Sequence, residues 1–169
     1  SWYPSFCYIL HCFLVQFADI DLDPVKNAEQ TYGFYKTYDV DILKTMNNGM
    51  YSVEDFGAVA DYSEIAGGGA AKIVSTPVHR PKDWLDLEPV SVNAGALARE
   101  QEYLRLLLDK TRGTVPVIFT VFSPLTTAYK LCPDLMRHVA EGFGEEVKAG
   151  LRAITESTCA LVQRVIEMG

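Results

Sequence analysis

The chain has no cluster of lysine and arginine, no Cys-x-x-Cys pair and no glycine loop followed by Lys-Ser or Lys-Thr. Each absence removes a class of function. Basic residues number 15 against 22 acidic ones, for a formal net charge of −7. Nucleic acids and anionic membranes are held by clustered cations that replace counterions, so neither fits as a partner. A small anionic substrate still fits, because a few local cations suffice for it. Cys7, Cys12, Cys132 and Cys159 lack Cys-x-x-Cys spacing, which reads first as reduced thiols in a cytoplasmic protein and only second as metal ligation. Gly67-Gly68-Gly69 is not followed by the lysine and hydroxyl residue of a phosphate loop and reads as a turn. Charge is also missing from residues 2–18. No basic residue precedes that run, no small-residue cleavage site follows it, and Pro4, His11 and Gln16 interrupt it. A buried strand at about residues 6–13 therefore accounts for it better than a membrane span or a signal peptide.

What is present is the composition of one globular domain, 1–169, with 49% hydrophobic and 22% charged residues. Residues 114–131 organise it. Val115, Val117, Ile118, Phe119, Val121 and Phe122 run without polar alternation, the pattern of a strand buried on both faces in a parallel sheet. Ser123-Pro124 ends the run and a helix-like segment follows. The hydroxyls of Thr120, Ser123, Thr126 and Thr127 thus gather at the carboxyl end of a buried strand, where parallel α/β folds bind ligands. Ser123 as a plain helix cap with Pro124 in the first turn is the competing reading.

Upstream, Asp21-Leu22-Asp23-Pro24 is a helix start with Val25, Ala28, Tyr32 and Tyr35 at helical spacing. Residues 40–46 read as a second strand ending in the turn Asn47-Asn48-Gly49. Lys44 inside it is either paired to a carboxylate such as Glu54 or Asp55 or faces a ligand pocket. His11, at the end of the first strand, is either a satisfied core residue or a base. Residues 56–62 and 70–76 form a hairpin around the glycine triplet, and residues 81–87 a short helical turn. Residues 95–109 form a helix whose polar side, Arg99, Glu100, Arg105 and Asp109, is expected to be solvated. Val147, Leu151, Ile154, Thr158, Leu161 and Val165 mark a final amphipathic helix, spaced as for a helix laid on a sheet. A pattern of strand and helix that stops on a capped helix calls for another strand, so the chain reads as the front of a larger parallel α/β structure.

Residues 41–62, the hairpin, Arg80-Pro81-Lys82-Asp83-Trp84, residues 115–131 and Gly150-Leu151-Arg152-Ala153-Ile154-Thr155-Glu156-Ser157-Thr158, taken in order, resemble the amino-terminal half of the uroporphyrinogen decarboxylase-like superfamily. The resemblance implies a partial (β/α)8 TIM barrel. It would be the first half, about three to four βα units, with a β-hairpin excursion after the second strand and the site at the carboxyl ends of the strands. It implies, by default, cofactor-independent decarboxylation of a tetrapyrrole or related anion, as in porphyrin biosynthesis. The alternative within the superfamily is corrinoid-to-thiol methyl transfer using zinc held outside this chain. Decarboxylases carry Met-Arg-Gln-Ala-Gly-Arg after their first strand, where residues 11–23 here hold no arginine. Their aspartate after the second strand falls at Lys44-Thr45-Met46-Asn47. Their Gly-Ala-Pro-Trp-Thr is echoed by Phe122-Ser123-Pro124-Leu125-Thr126, and the tyrosine that follows by Tyr129. Candidate catalytic residues are accordingly His11, Lys44 and Tyr129, and candidate substrate-binding residues are Asn47, Tyr51, Ser123 and Thr126. The expected partners are a small anionic substrate and, for a half barrel with exposed edges, a second copy or a second barrel half. A non-catalytic half-barrel assembly module is the reading from another class.

Overall fold

The computed structural model describes residues 20–38, 40–65 and 70–169. The strand expected at 6–13, His11 with it, and the glycine turn at 67–69 lie outside the described residues. The first helix, α1 (Pro24–Tyr38), starts as its sequence dictates: Asp23 Oδ1 accepts from the amides of Val25 at 3.0 Å and Lys26 at 3.1 Å. There follow β1 (Leu43–Lys44), the short α2 (Tyr51–Glu54), β2 (Val59–Asp61), β3 (Lys72–Ser75), a 3-10 helix (Pro81–Asp86), α3 (Gly95–Thr111) and β4 (Val117–Ile118). Three helices complete the chain: α4 (Pro124–Leu131), α5 (Leu135–Ala140) and α6 (Gly144–Glu167).

Strands β1 and β4 pair in parallel, Leu43 opposite Val117 and Lys44 opposite Ile118. Side chains alternate across a strand, so Leu43 and Val117 point one way and Lys44 and Ile118 the other. The first pair meets α1 and α3 in a core with Ala28, Tyr103, Leu107 and Val115. The opposite face is open: Ile42 is 44% and Ile118 50% exposed. Burial of residues 115–123 on both faces is therefore not what the structure shows. Among the described residues helices cover one side, and the lack of alternation reflects apolar residues on both sides rather than two covered sides. Val25, on the expected apolar stripe of α1, is likewise exposed, whereas Ala28 is fully buried.

β2 and β3 pair antiparallel, with Asp61 opposite Lys72, Ala60 opposite Ile73 and Val59 opposite Ser75. The register skips Val74, a bulge that turns this side chain outward. A second core joins Val53, Val78, Trp84, Ala128, Leu131, Leu135, Val147 and Ile154. Within it α6 lies on the 3-10 helix, α4 and α5 rather than on a sheet, so its stripe meets a layer of helices. No helix among the described residues is long and apolar enough to cross a membrane.

Gly150 is what lets α6 approach. A Cβ there would lie 2.5 Å from Trp84 Cε3, and Trp84 cannot yield, because it is fully buried and its Nε1 donates to His138 Nδ1 at 3.1 Å. Gly33, in the middle of α1, has open space where a Cβ would go. The two helical glycines should thus respond oppositely to the same substitution. Gly150→Ala is expected to cost about 1–3 kcal/mol through overpacking, and Gly33→Ala to add about 0.5–1 kcal/mol of helix stability. Urea titration of both variants beside the parent measures the two signs.

Candidate functional site

The parallel ladder ends in an exchange of partners. Leu43 N donates to Pro116 O and Thr45 N to Ile118 O, both at 2.9 Å, and the next rung would take Thr120 N to the carbonyl of Thr45. Instead Thr120 N donates to the Thr45 hydroxyl at 3.0 Å, and Thr120 Oγ1 donates to the Thr45 carbonyl at 3.3 Å. Side-chain oxygens close the ladder, which frees both chains to turn away at their carboxyl ends. The Tyr51 hydroxyl then holds the Thr120 carbonyl at 2.8 Å, and burial raises the phenol well above its ordinary pKa. On the other side Tyr103 OH accepts from Met46 N at 2.8 Å and meets Thr31 Oγ1 at 2.7 Å.

Below this junction sits a charged cluster. The Thr45 hydroxyl donates to Asn47 Oδ1, and Asn47 Nδ2 donates to Glu100 Oε2 at 2.8 Å. Glu100 Oε1 accepts from Arg99 Nε at 3.2 Å, and Arg99 grips Glu54 with both terminal nitrogens at 3.0 and 3.1 Å. Glu54 also accepts from Tyr62 OH at 2.8 Å, and Asn48 Nδ2 donates to Tyr62 OH at 2.9 Å. One guanidinium thus faces two carboxylates. Removal from water dominates at Glu100, which is 1% exposed; the Asn47 and Arg99 contacts offset part of it, the Glu54 charge adds to it, and its pKa is raised to about 7. Burial likewise pushes Tyr62 up to about 12. The expectation of a solvated polar side on α3 holds for Arg105 and Asp109, which pair at 2.7 Å in the open, and fails for Arg99 and Glu100. The helical spacing carried a signal for Glu100: it lies three residues after Leu97 and four before Leu104, on the buried stripe.

The candidates from the sequence divide into three groups. Asn47 and Tyr51 are buried in the junction and act on it. Ser123 and Thr126 serve the start of α4: Ser123 Oγ accepts from Thr126 N at 3.1 Å and the two hydroxyls meet at 2.9 Å. Lys44 and Tyr129 remain accessible. Neither carboxylate considered for Lys44 is free, because Glu54 holds Arg99 and Asp55 accepts from the amides of Ala96 and Leu97 at 2.8 and 2.9 Å. Lys44 therefore belongs to the open face beside Ile118. Lys130 was not anticipated; it donates to Gly49 O and lies 4.0 Å above the Phe122 ring, which ties the β1 loop to the β4 end. Burial lowers its pKa.

A cavity of about 20 Å³ lies behind the junction, among Tyr51, Ser52, Phe122, Thr127, Ser157 and Leu161. It has room for one water but for no substrate. Among the described residues no group of three His, Cys, Asp or Glu side chains could hold a metal ion, and Cys132 and Cys159 are free, the former buried and the latter exposed.

Residues 11–169 match the family profile described as Uroporphyrinogen decarboxylase (URO-D). A solved methyltransferase from Methanosarcina mazei shares the fold, with a TM-score of 0.76 at 15% identity over 92% of this chain. The match spans 46% of that structure, so the chain covers less than half the length of the methyltransferase it resembles. No curated protein matches.

The buried glutamate makes stability depend on pH. In the folded chain Glu100 keeps its proton up to about 7, whereas unfolded it loses it near 4.5. Between those values the folded state binds more protons, so stability falls as pH rises through this window and levels off above it. At about 1.4 kcal/mol per pH unit the loss amounts to about 3 kcal/mol. Glu100→Gln should remove this slope, as read from urea midpoints on either side of the window.

Proposed function

The chain belongs to the uroporphyrinogen decarboxylase family, and on that premise we propose that it is the amino-terminal portion of a (β/α)8 barrel whose mouth takes a small anionic substrate. One observation carries the reading. At the carboxyl ends of two parallel strands, the register turns Lys44 onto the uncovered face, and the nearby carboxylates Glu54 and Asp55 are committed elsewhere. An ammonium so placed is suited to a substrate carboxylate. Decarboxylation of a tetrapyrrole or a related polycarboxylate is the reaction the family suggests first. The C–C bond breaks, its electron pair passes into the substrate's ring system, carbon dioxide leaves, and a proton is delivered to the carbon. Lys44 supports this by neutralising the carboxylates or delivering the proton, with His11 as the other candidate donor and Tyr129 orienting the substrate.

A second reading, methyl transfer from a corrinoid to a thiol, rests on what stands at the strand end. The position of the family's aspartate falls at Lys44-Thr45-Met46-Asn47, which presents no carboxylate, and Asn47 is already bound to Glu100 and Thr45. Zinc in that case would be held by residues outside this chain. A third reading, a half barrel whose role is assembly, draws on the exposed Ile42, Ile118 and Val121. It expects the chain to pair with a second barrel half or with itself, which light scattering on a size-exclusion column would reveal as a stable complex without turnover.

The full-length protein decides among them. Carbon dioxide release from a tetrapyrrole polycarboxylate supports the first reading, and methyl transfer from a methylcorrinoid to a thiol replaces it with the second. Lys44→Ala should weaken polycarboxylate binding about tenfold, the worth of one charge-assisted contact, and leave the thermal melt unchanged. A lowered melt with unchanged binding would assign Lys44 to the scaffold.

A further inference from the structure

We propose that Glu100 is a positioning residue for this mouth, holding the Asn47 carboxamide, and through it the Thr45–Thr120 junction, in one of two hydrogen-bonded arrangements. The inference rests on the reading of the strand ends as the binding site. Its physical basis is a count of donors and acceptors. Both Glu100 oxygens accept, Oε1 from Arg99 Nε and Oε2 from Asn47 Nδ2. The Asn47 carbonyl is therefore turned toward the Thr45 hydroxyl and takes its proton. With that proton committed, a Thr45 lone pair is left to receive Thr120 N. Three groups in series, the Asn47 carboxamide, the Thr45 hydroxyl and the Thr120 amide, are thus oriented by one carboxylate that is 1% exposed.

Protonation of Glu100 disturbs the whole series. A proton on either oxygen sets a donor against a donor, Arg99 Nε on one side or the Asn47 amide on the other. Arg99 cannot turn, since both its terminal nitrogens are held by Glu54. The Asn47 carboxamide can turn over. Its oxygen then accepts from Glu100, its NH2 faces Thr45 Oγ, and the Thr45 proton must find another acceptor. That rearranges the contact through which Thr45 holds Thr120, one residue from Lys44 along β1 and two from Ile118 along β4.

The groups around Glu100 favour such a change near neutrality. Arg99 and Tyr103 face it from α3, Glu54 and Tyr51 from α2, and Asn47 from the loop after β1, with Tyr62 behind Glu54. The three phenols are all held protonated by burial. The charges that count are therefore one guanidinium against two carboxylates. Glu54 has the two-pronged share of that guanidinium and Glu100 the single one, so Glu100 is the carboxylate that gives up its charge.

The test uses the full-length protein labelled with nitrogen-15. The Asn47 side-chain amide signals should titrate with a midpoint near 7, together with a protonated-carboxyl band in infrared difference spectra. Glu100→Gln should abolish both and remove the same midpoint from the pH profile of polycarboxylate affinity. If that variant does not fold, the wild-type amide and infrared titrations decide alone. Asn47 signals that stay flat across the neutral range, or that titrate unchanged in Glu100→Gln, overturn the proposal. Absence of polycarboxylate binding at every pH overturns the functional reading instead, and leaves an Asn47 titration without a site to position.

Discussion

Glu100 has been taken out of water, and the structure around the parallel strand ends is arranged to make that tolerable. A carboxylate at 1% exposure is costly unless its lone pairs are met, and among the described residues Arg99 and Asn47 meet them. Each of those partners then needs partners of its own. Arg99 recruits Glu54, Glu54 recruits Tyr62 and Asn48, and Asn47 recruits Thr45. The requirement that buried polar groups be satisfied thus propagates from one side chain on α3 to α2, to the segment after β2 and to the ends of both parallel strands.

Close backbone approaches make this delivery possible. Gly95, at a φ of +65°, brings the first turn of α3 against Asp55, whose carboxylate receives the amides of Ala96 and Leu97. Any side chain at position 95 would collide with that carboxylate and, at this φ, strain the backbone. Asp55 therefore anchors the start of α3 beside α2, and Arg99 and Glu100 come one turn later at the level of the strand ends. Gly150 plays the corresponding part for α6, which closes on Trp84 and carries the second core. One glycine sets the height of the helix bearing the charged cluster. The other sets the depth of the layer behind it.

The uncovered face follows from the same division of labour. Helices α1 and α3 bury Leu43, with Val117 packed against them, and leave Ile42 and Ile118 exposed and Lys44 half-buried beside them. The chain belongs to the uroporphyrinogen decarboxylase family and spans 46% of the length of the solved methyltransferase whose fold it shares. Among the described residues a half-buried cation, Lys44, thus stands beside exposed apolar side chains, with a buried polar network behind the strand ends.

Much of this was legible from residue order. Asp23-Pro24 and Ser123-Pro124 begin α1 and α4 through local hydrogen bonds that need no tertiary partner, and the apolar run at 115–122 gives a parallel strand with a buried face. The ordered segments from Asp41 onward identify the family. The tertiary structure alone decided where charge could be hidden. Glu100 reads as polar beside Arg99 and Arg105, and only the approach of α2 and of the β1 loop makes the site dry and supplies Asn47 as donor. Lys44 reads as ambiguous because its two nearby carboxylates are close in sequence, and it is Arg99 and the amides of α3, 45 and about 42 residues away, that claim them. Local hydrogen bonding is written in neighbours along the chain. Desolvation and the choice of ionic partner depend on which distant segments fold against a side chain, so they become definite only when the helices close.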